Sequence, residues 1–406
     1  MPALKYNPFK PGSIVHPGMF AGRYDELMVL QKALFQTKNG NPAHFLVHGE
    51  RGIGKSSLLM LIDHVARGSI NSLIPSENFD FLTVSIELEP SDEYADVISK
   101  LARELQRELD KNEVLKKKLK GLWEFITNWE VLGVRYKRGT TPIEAMLEEL
   151  SDKFSAIASE LAKDKSGIYI FIDEADKPVS GAGLGEFVKV FTERLAKRGI
   201  NNVALGIFGI SNVIEKMKQS HESSVRILTP VFLRPLNESD RKLVIERGLK
   251  EANDKNDVAT TIMDKAVDSI SKYSEGYPYF IQQYAFSSFD HDTDDNIDEN
   301  DVKEALIKEN GALQLLGQRY FENMYTDEIR SDDYRTVLQV LAKHMPKEVS
   351  RKQIIAETKL KTHTVNNALI ALKKRGSITP VSGHDGLFRL PSMSFATWIQ
   401  AFKLAK

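Results

Sequence analysis

Two hydrophobic periods alternate along the first 236 residues. Short, nearly continuous apolar blocks occur at Phe45–Val47, Phe81–Leu88, Ile168–Ile172, Asn202–Ile210 and Arg226–Leu236. Blocks of this length and composition predict strands, and the continuous run Ile168–Ile172 predicts one buried on both faces of a parallel sheet. Between them, apolar residues recur every three or four positions. One stripe is Leu27, Leu30, Leu34 and Phe35; another is Tyr94, Val97, Ile98, Leu101, Leu105 and Leu109. Such stripes predict helices packed by one side. Thr141-Pro142 has the residue types of an N-cap and first helical position for a helix from Ile143 to Ala162. Strands alternating with helices predict an α/β fold, and parallel sheets of this class bind ligands at the carboxyl ends of their strands.

The flanks read differently. Residues 1–19 are rich in proline and glycine and predict an extended arm. From 237 to 325 the pattern is helical. Asn237-Glu238-Ser239-Asp240 caps one helix, Gly276-Tyr277-Pro278 opens another, and the acidic tract Asp290–Asp301 predicts a solvated loop and cap. Residues 326–406 predict a winged helix-turn-helix. Its first helix spans about Tyr334–Lys343, and its second opens at the capping box Ser350-Arg351-Lys352-Gln353. The third runs from about Thr362 to Arg375 and stops at Gly376; the hairpin of Ile378–Val381 and Leu387–Leu390 forms the wing. Within 20–236, a mostly helical insertion covers 90–165 and offers a surface for a protein partner; Trp123, Phe125 and Trp129 read as core, Lys116, Lys117, Lys118 and Lys120 as a solvated face.

The chemistry concentrates at strand ends. After the first apolar block comes Gly49-Glu50-Arg51-Gly52-Ile53-Gly54-Lys55-Ser56-Ser57, a G-x-x-x-x-G-K-S loop opening a helix. Glycines let successive backbone amides face one anion, and the helix N-terminus adds positive potential. Lys55 is expected on the β- and γ-phosphates of a nucleotide and Ser56 on Mg²⁺. Ile168–Ile172 ends in Asp173-Glu174-Ala175-Asp176. A carboxylate at the tip of a strand beside the glycine-loop strand suits Mg²⁺, which makes Asp173 the second metal residue, and Glu174 is the expected general base. Ser211 and Asn212 end the fourth block and read either as γ-phosphate or water contacts or as a helix cap. Arg226 lies just before the fifth block.

Composition narrows the class. The chain has 406 residues and no cysteine, which excludes disulfides and thiolate chemistry. No apolar run approaches the roughly 20 residues of a membrane span, and MPALKYNPFKPG lacks a signal-peptide core, so a cytoplasmic protein is expected. The net charge of −1 hides an asymmetry. Residues 237–311 hold 18 acidic and 9 basic side chains, a net of −9; residues 330–406 hold 14 basic and 5 acidic, a net of +9. The basic end predicts either an anionic partner or attraction to the acidic segment.

These motifs resemble those of the AAA+ ATPases, specifically the origin-recognition initiator group and the STAND-like ATPases beside it. The resemblance rests on FAGRYDEL, GERGIGKSS, IFIDEAD, the strand ending in Ser211-Asn212 and VFLRPL. It implies a parallel-sheet P-loop fold with a helical lid and a C-terminal winged helix. It also implies ATP with Mg²⁺, Phe20 and Arg23 near the adenine, and a homo-oligomer assembled on ATP binding. Arg226 stands where AAA+ proteins carry an arginine finger. The lid helix GYPYFIQQYA has no second-sensor arginine, and its Gly-x-Pro resembles the STAND pattern, where the proline, here Pro278, sits near adenine.

Two leading functions follow, ahead of a nucleotide-binding scaffold with negligible turnover, against which Glu174 argues. One is an ATPase whose nucleotide controls DNA binding or assembly, as in an initiator, loader or mobile-element regulator. On double-stranded DNA, Thr364, Asn366 and Asn367 would reach base edges, and Arg351, Lys352, Lys361, Lys373, Lys374 and Arg389 would meet phosphates. The other is an ATP-gated signalling or defence switch whose winged helix contacts protein.

Overall fold

The computed structural model describes residues 5–14, 20–129, 143–163, 165–179, 181–327, 329, 331–381, 384 and 386–404. The chain divides into two compact units: Ile14–Arg234, and Met1–Ser13 together with Pro235–Lys406.

The first unit is built on five parallel strands: β1 (His44–Gly49), β2 (Phe81–Glu87), β3 (Gly167–Asp173), β4 (Val203–Gly209) and β5 (Leu228–Leu233). Their order across the sheet is β2-β3-β4-β1-β5. All five predicted blocks are therefore strands. The strand ending in Asp173 does not lie beside β1, as its sequence suggested; β4 pairs with both and separates them. Order in a parallel sheet is decided by how each crossover packs, which no local pattern encodes.

Helices cover both faces of the inner strands β3 and β4, which are buried almost end to end, whereas β5 at the sheet edge exposes Thr229, Pro230 and Phe232. Toward α1 (Tyr24–Lys38) and α2 (Lys55–Ala66), the strands present Phe45, Tyr169, Phe171 and Phe208. Phe45 and Tyr169 stack at 5.5 Å, and the Tyr169 hydroxyl donates to the Ala43 carbonyl at 2.6 Å. The other face buries Leu82, Ile170 and Leu205 under α3 (Tyr94–Lys111), short α4 (Glu113–Lys118) and α5 (Trp123–Thr127), α6 (Ile143–Leu161), α7 (Leu184–Lys197) and α8 (Val213–Ser220). Each such side chain contributes about 1.5–3 kcal/mol. Thr141-Pro142, the expected cap of α6, lies outside the described residues. Trp123 and Trp129 pack on this core as expected, but Phe125 is 46% exposed, with the Lys153 ammonium 3.9 Å above its ring.

The second unit joins parts that the sequence had kept apart. Its helices are α9 (Glu238–Lys255), α10 (Asp264–Ser274), α11 (Pro278–His291), α12 (Glu299–Ile307) and α13 (Ala312–Leu316). They continue as α14 (Asp332–His344), α15 (Arg351–Thr358), α16 (Thr362–Lys374) and α17 (Met393–Ile399). The predicted caps form: Asn237 accepts from the Asp240 amide, and Asp298 and Asp301 make a capping box. At Ser350 only half of the box appears; Ser350 Oγ accepts from the Gln353 amide, and the Gln353 side chain turns to Glu357 instead. Residues 5–13 are not a free arm. Phe9 is buried against Gly248 and Phe289, Asn7 donates to the Phe286 carbonyl, and Lys5 pairs with Asp292 and Asp295. Part of the acidic tract therefore serves the chain's own N-terminal segment. An aromatic cluster of Phe280, Phe321, Tyr325, Phe395 and Trp398 binds α11 to α17, so α9–α13 and the C-terminal helices belong to one compact unit. The hairpin of β7 (Thr379–Pro380) and β8 (Leu387–Arg389) pairs onto β6 (Val349–Ser350) as an antiparallel three-stranded sheet, in the order helix, strand, helix, helix, hairpin. Ser382, Gly383 and Asp385 of its turn lie outside the described residues.

Candidate nucleotide site

The glycine loop takes its shape from local sequence. Gly52 and Gly54 sit at φ 73° and 95°, and Gly54 is the N-cap of α2. Gly49 is required by close approach: a Cβ there would stand 2.9 Å from the Leu233 carbonyl oxygen of neighbouring β5. Arg23, itself at φ 64°, is almost wholly buried and donates from Nη2 to the Ile53 carbonyl at 3.0 Å. Its guanidinium thus braces the loop from α1. Ile53 is buried, whereas Glu50 and Arg51 point to solvent, and Gly52, Ser57 and Phe20 are half-buried.

Lys55 curls over its own loop, donating to the carbonyls of Glu50 at 2.9 Å and Gly49 at 3.2 Å. Burial pulls its pKa down, and the carboxylates of Asp176, Glu174 and Asp173 work in the opposite direction. Ser56 Oγ donates to Asp173 Oδ2 at 2.9 Å. That bond spans the width of β4, because α2 crosses back over the sheet toward β3. The other oxygen of Asp173 accepts the Glu174 amide at 2.8 Å. Burial raises the pKa of both carboxyls; for Glu174 the Lys177 ammonium opposes the rise. Glu174 stands at φ 52°, a left-handed position that turns its side chain off the strand line.

Three supporting residues escaped the sequence reading. Asp176 is buried, and its Oδ1 accepts the Ile210 amide at 2.8 Å, fastening the end of β3 to the end of β4. Lys177 pairs with Glu87 at 2.8 Å and approaches Glu174 at 3.9 Å. His48 Nδ1 lies 3.4 Å from Ser211 Oγ. Each is a polar residue at a carboxyl strand end, which is the signal that could have found them. Ser211 and Asn212 are exposed at the tip of β4, and Asn212 makes no side-chain cap bond to α8. Arg226 is exposed at the amino end of β5, where the register pairs Leu228 with His44 and Leu233 with Gly49. At about 3.3 Å per residue, β5 sets it on the order of 20 Å from the loop of its own chain. Pro278 begins α11 in the second unit.

The loop, the serine–aspartate bond and the adjoining glutamate bring together the groups that the sequence analysis expected at a nucleotide site. Residues 19–188 match the family model described as "AAA ATPase domain". This segment is an AAA ATPase domain. No curated protein matches the chain. Among solved structures, the Aeropyrum pernix ORC2 protein in its ADPNP–ADP complexes aligns at 12% identity with a TM-score of 0.60, covering 99% of either chain. The ADP form of the same protein aligns at 12% identity and a TM-score of 0.52, covering 98% of this chain and 95% of that one. At such identity the likeness shows a shared fold. The AAA ATPase domain sits on the ORC-like P-loop fold, with a five-stranded parallel sheet in a mostly helical chain. Among the described residues no helix is long and apolar enough to cross a membrane.

Proposed function

We propose that the protein is a Mg²⁺-dependent ATPase in which bound nucleotide controls DNA binding or assembly, in the manner of an initiator, loader or mobile-element regulator. The observation that carries the ATPase reading is the 2.9 Å bond from Ser56 Oγ to Asp173 Oδ2, with Glu174 next in the chain. Two hard oxygens from separate elements meet there, a donor set that fits Mg²⁺. Ser56 and Asp173 would hold the ion, which when bound neutralises charge on the β- and γ-phosphate oxygens. Amides of Gly52–Ser57 cradle the phosphates, and Lys55 leaves its loop carbonyls for the β/γ-oxygens. Glu174 takes a proton from water as its oxygen attacks the γ-phosphorus and the bond to ADP breaks. Raised by burial, the Glu174 carboxyl is a better base than a solvated one. A protein of the same fold solved with ADPNP and ADP supports nucleotide binding.

Arg226 is too far from its own loop to act in cis, which supports a finger role at a neighbouring copy in an oligomer. Arg226→Ala should lower turnover without weakening ATP binding. Mixing it with Lys55→Ala restores activity only where sites are shared; a specific rate independent of concentration would remove the finger.

The DNA reading rests on the C-terminal helices, which we interpret as a winged helix. Arg351, Lys352, Lys361, Lys373, Lys374 and Arg389 are all exposed, and among the described residues none is in a salt bridge. In a switch whose basic domain is held by the acidic lid, these cations would be paired; Arg389 does act on the Glu275 carboxylate of that segment, and the exposure of the other five favours an anionic partner. On α16, Asn367 is exposed, Thr364 and Asn366 are half-buried at its margins, and Val365, Leu369 and Leu372 face the core. The test is phosphate release with and without duplex DNA, alongside fluorescence anisotropy in ADP and in a non-hydrolysable ATP analogue. ATP hydrolysis and nucleotide-dependent DNA binding are expected. No binding at low salt in either state would remove the DNA reading, and no phosphate release would remove the ATPase.

A further inference from the structure

The lid and C-terminal helices meet at one carboxylate. Glu275 lies between α10 and α11 at φ 50°, a conformation that costs energy for any residue with a side chain. Its Oε2 accepts the amide of Met393, the first residue of α17. That amide has no partner inside its own helix, so the carboxylate fills a position usually left to a cap or to water. The contact is reinforced next to it. Ser394 Oγ donates to the Tyr273 carbonyl at 2.9 Å and lies 2.5 Å from the Tyr284 hydroxyl. The end of α10 and the start of α17 are therefore bonded at consecutive residues.

The neighbour of Glu275 points the other way along the chain. The Gly276 carbonyl accepts the Leu236 amide at 2.8 Å, and a Cβ on Gly276 would stand 2.3 Å from the Leu236 carbonyl oxygen, so only glycine fits. Leu236 follows by three residues Leu233, the end of β5 that abuts Gly49 at the mouth of the glycine loop. On the far side, α17 packs on α14; Gln400, just beyond it, donates to the Ala342 carbonyl at 2.6 Å, and α14 packs on α16 with its exposed basic residues. Bonded contacts thus lead from the end of β5 through Gly276, Glu275 and α17 to α16.

We propose that Glu275 is the coupling residue between the nucleotide site and the C-terminal helices. Its carboxylate carries a displacement of the Leu236–Gly276 segment into α17, and α17 carries α14 and α16 with it. The proposal rests on the reading of a nucleotide-controlled DNA-binding protein, but the coupling can be read without DNA.

Two measurements on the full chain test it. In the first, hydrogen exchange of Met393–Ile399 is followed with ADP and with a non-hydrolysable ATP analogue. The wild-type protein should exchange differently in the two states. Glu275→Ala should lose that difference, and Met393→Pro should lose it too, since it removes the donor while proline is tolerated at a first helical position. Glu275→Gln keeps an acceptor for the Met393 amide and should retain the difference. In the second, the ratio of DNA affinities in the two nucleotide states is measured. Coupled sites show ratios of roughly 5–150-fold, and Glu275→Ala should bring this within about twofold of one without changing nucleotide affinity. No nucleotide-dependent exchange in the wild type, or exchange that persists in both Glu275→Ala and Met393→Pro, overturns the proposal. Nucleotide-dependent exchange lost in those variants, together with no DNA binding in any state, upholds Glu275 as the coupling residue and removes the DNA reading instead.

Discussion

The glycine-loop region and the basic face of α15, α16 and the hairpin are both charged, yet they are built on opposite plans. At the loop, ionisable groups are withdrawn from water and hold one another: Lys55 on two carbonyls, Asp173 on Ser56 and the Glu174 amide, Arg23 on Ile53. On the basic face, six cations stand in solvent without a salt-bridge partner among the described residues. Desolvated groups in fixed geometry suit one ligand of one shape, where each residue is worth much. Solvated cations suit a polyanion, where each adds a small, salt-dependent increment.

The comparison can be broken at its strongest point first. Glu174→Gln keeps shape and removes the base, so turnover should fall about 10²- to 10⁴-fold while ATP still binds. An unchanged rate in a phosphate-release assay would take Glu174 out of the chemistry. Next is Lys55→Ala. Hydrogen bonds to a charged group are worth about 1.5–3 kcal/mol each, so losing two should weaken ATP by on the order of 10²- to 10⁴-fold. Circular dichroism should be unchanged, because among the described residues the Lys55 ammonium makes its hydrogen bonds to its own loop; calorimetry showing full affinity would refute the assignment.

A third measurement contrasts the buried unit with a solvated one. Burial lowers the pKa of His44 to about 4, and its Nδ1 accepts the Leu205 amide at 3.1 Å, which requires the neutral ring. The folded pKa lies below the ordinary 6.5, so the unfolded chain binds the extra proton. Stability from this residue is complete above pH 6.5 and is lost as pH falls toward 4, by at most about 3 kcal/mol. Urea unfolding between pH 7 and 4 should show the decline for the wild type and a shallower one for His44→Gln; parallel curves would exclude His44 as the cause.

The smallest effect belongs to the open face. If about four phosphates are neutralised, log affinity falls with log salt at a slope of about −3.6, and Lys373→Ala with Lys374→Ala should flatten it by about 2. Anisotropy across a salt series reads this directly. A slope unmoved by the double substitution would mean that α16 does not meet the phosphates.

Much of the candidate site was legible because its signals are short. The spacing from Gly49 to Ser56 sets loop, helix start and phosphate cradle within eight residues, and an apolar strand ending in Asp173-Glu174 announces its own carboxyl tip. The strands, the cap at Asn237, the proline start of α11 and the buried side of α16 were equally local, since each depends on one period or one side chain near its own backbone. Pairings between distant segments were not legible. That β4 stands between β1 and β3, that Asp176 ties β3 to β4, that residues 5–13 clasp α9 and α11, and that Glu275 holds α17 all depend on chain segments separated by tens to hundreds of residues. A carboxylate in a turn looks the same in sequence whether it ends in water or on an amide 118 residues away. Local periodicity and backbone chemistry determined the elements and the phosphate loop; which elements touch was decided by burial of the whole chain, where the entropy of closing long loops is offset only once the full core forms.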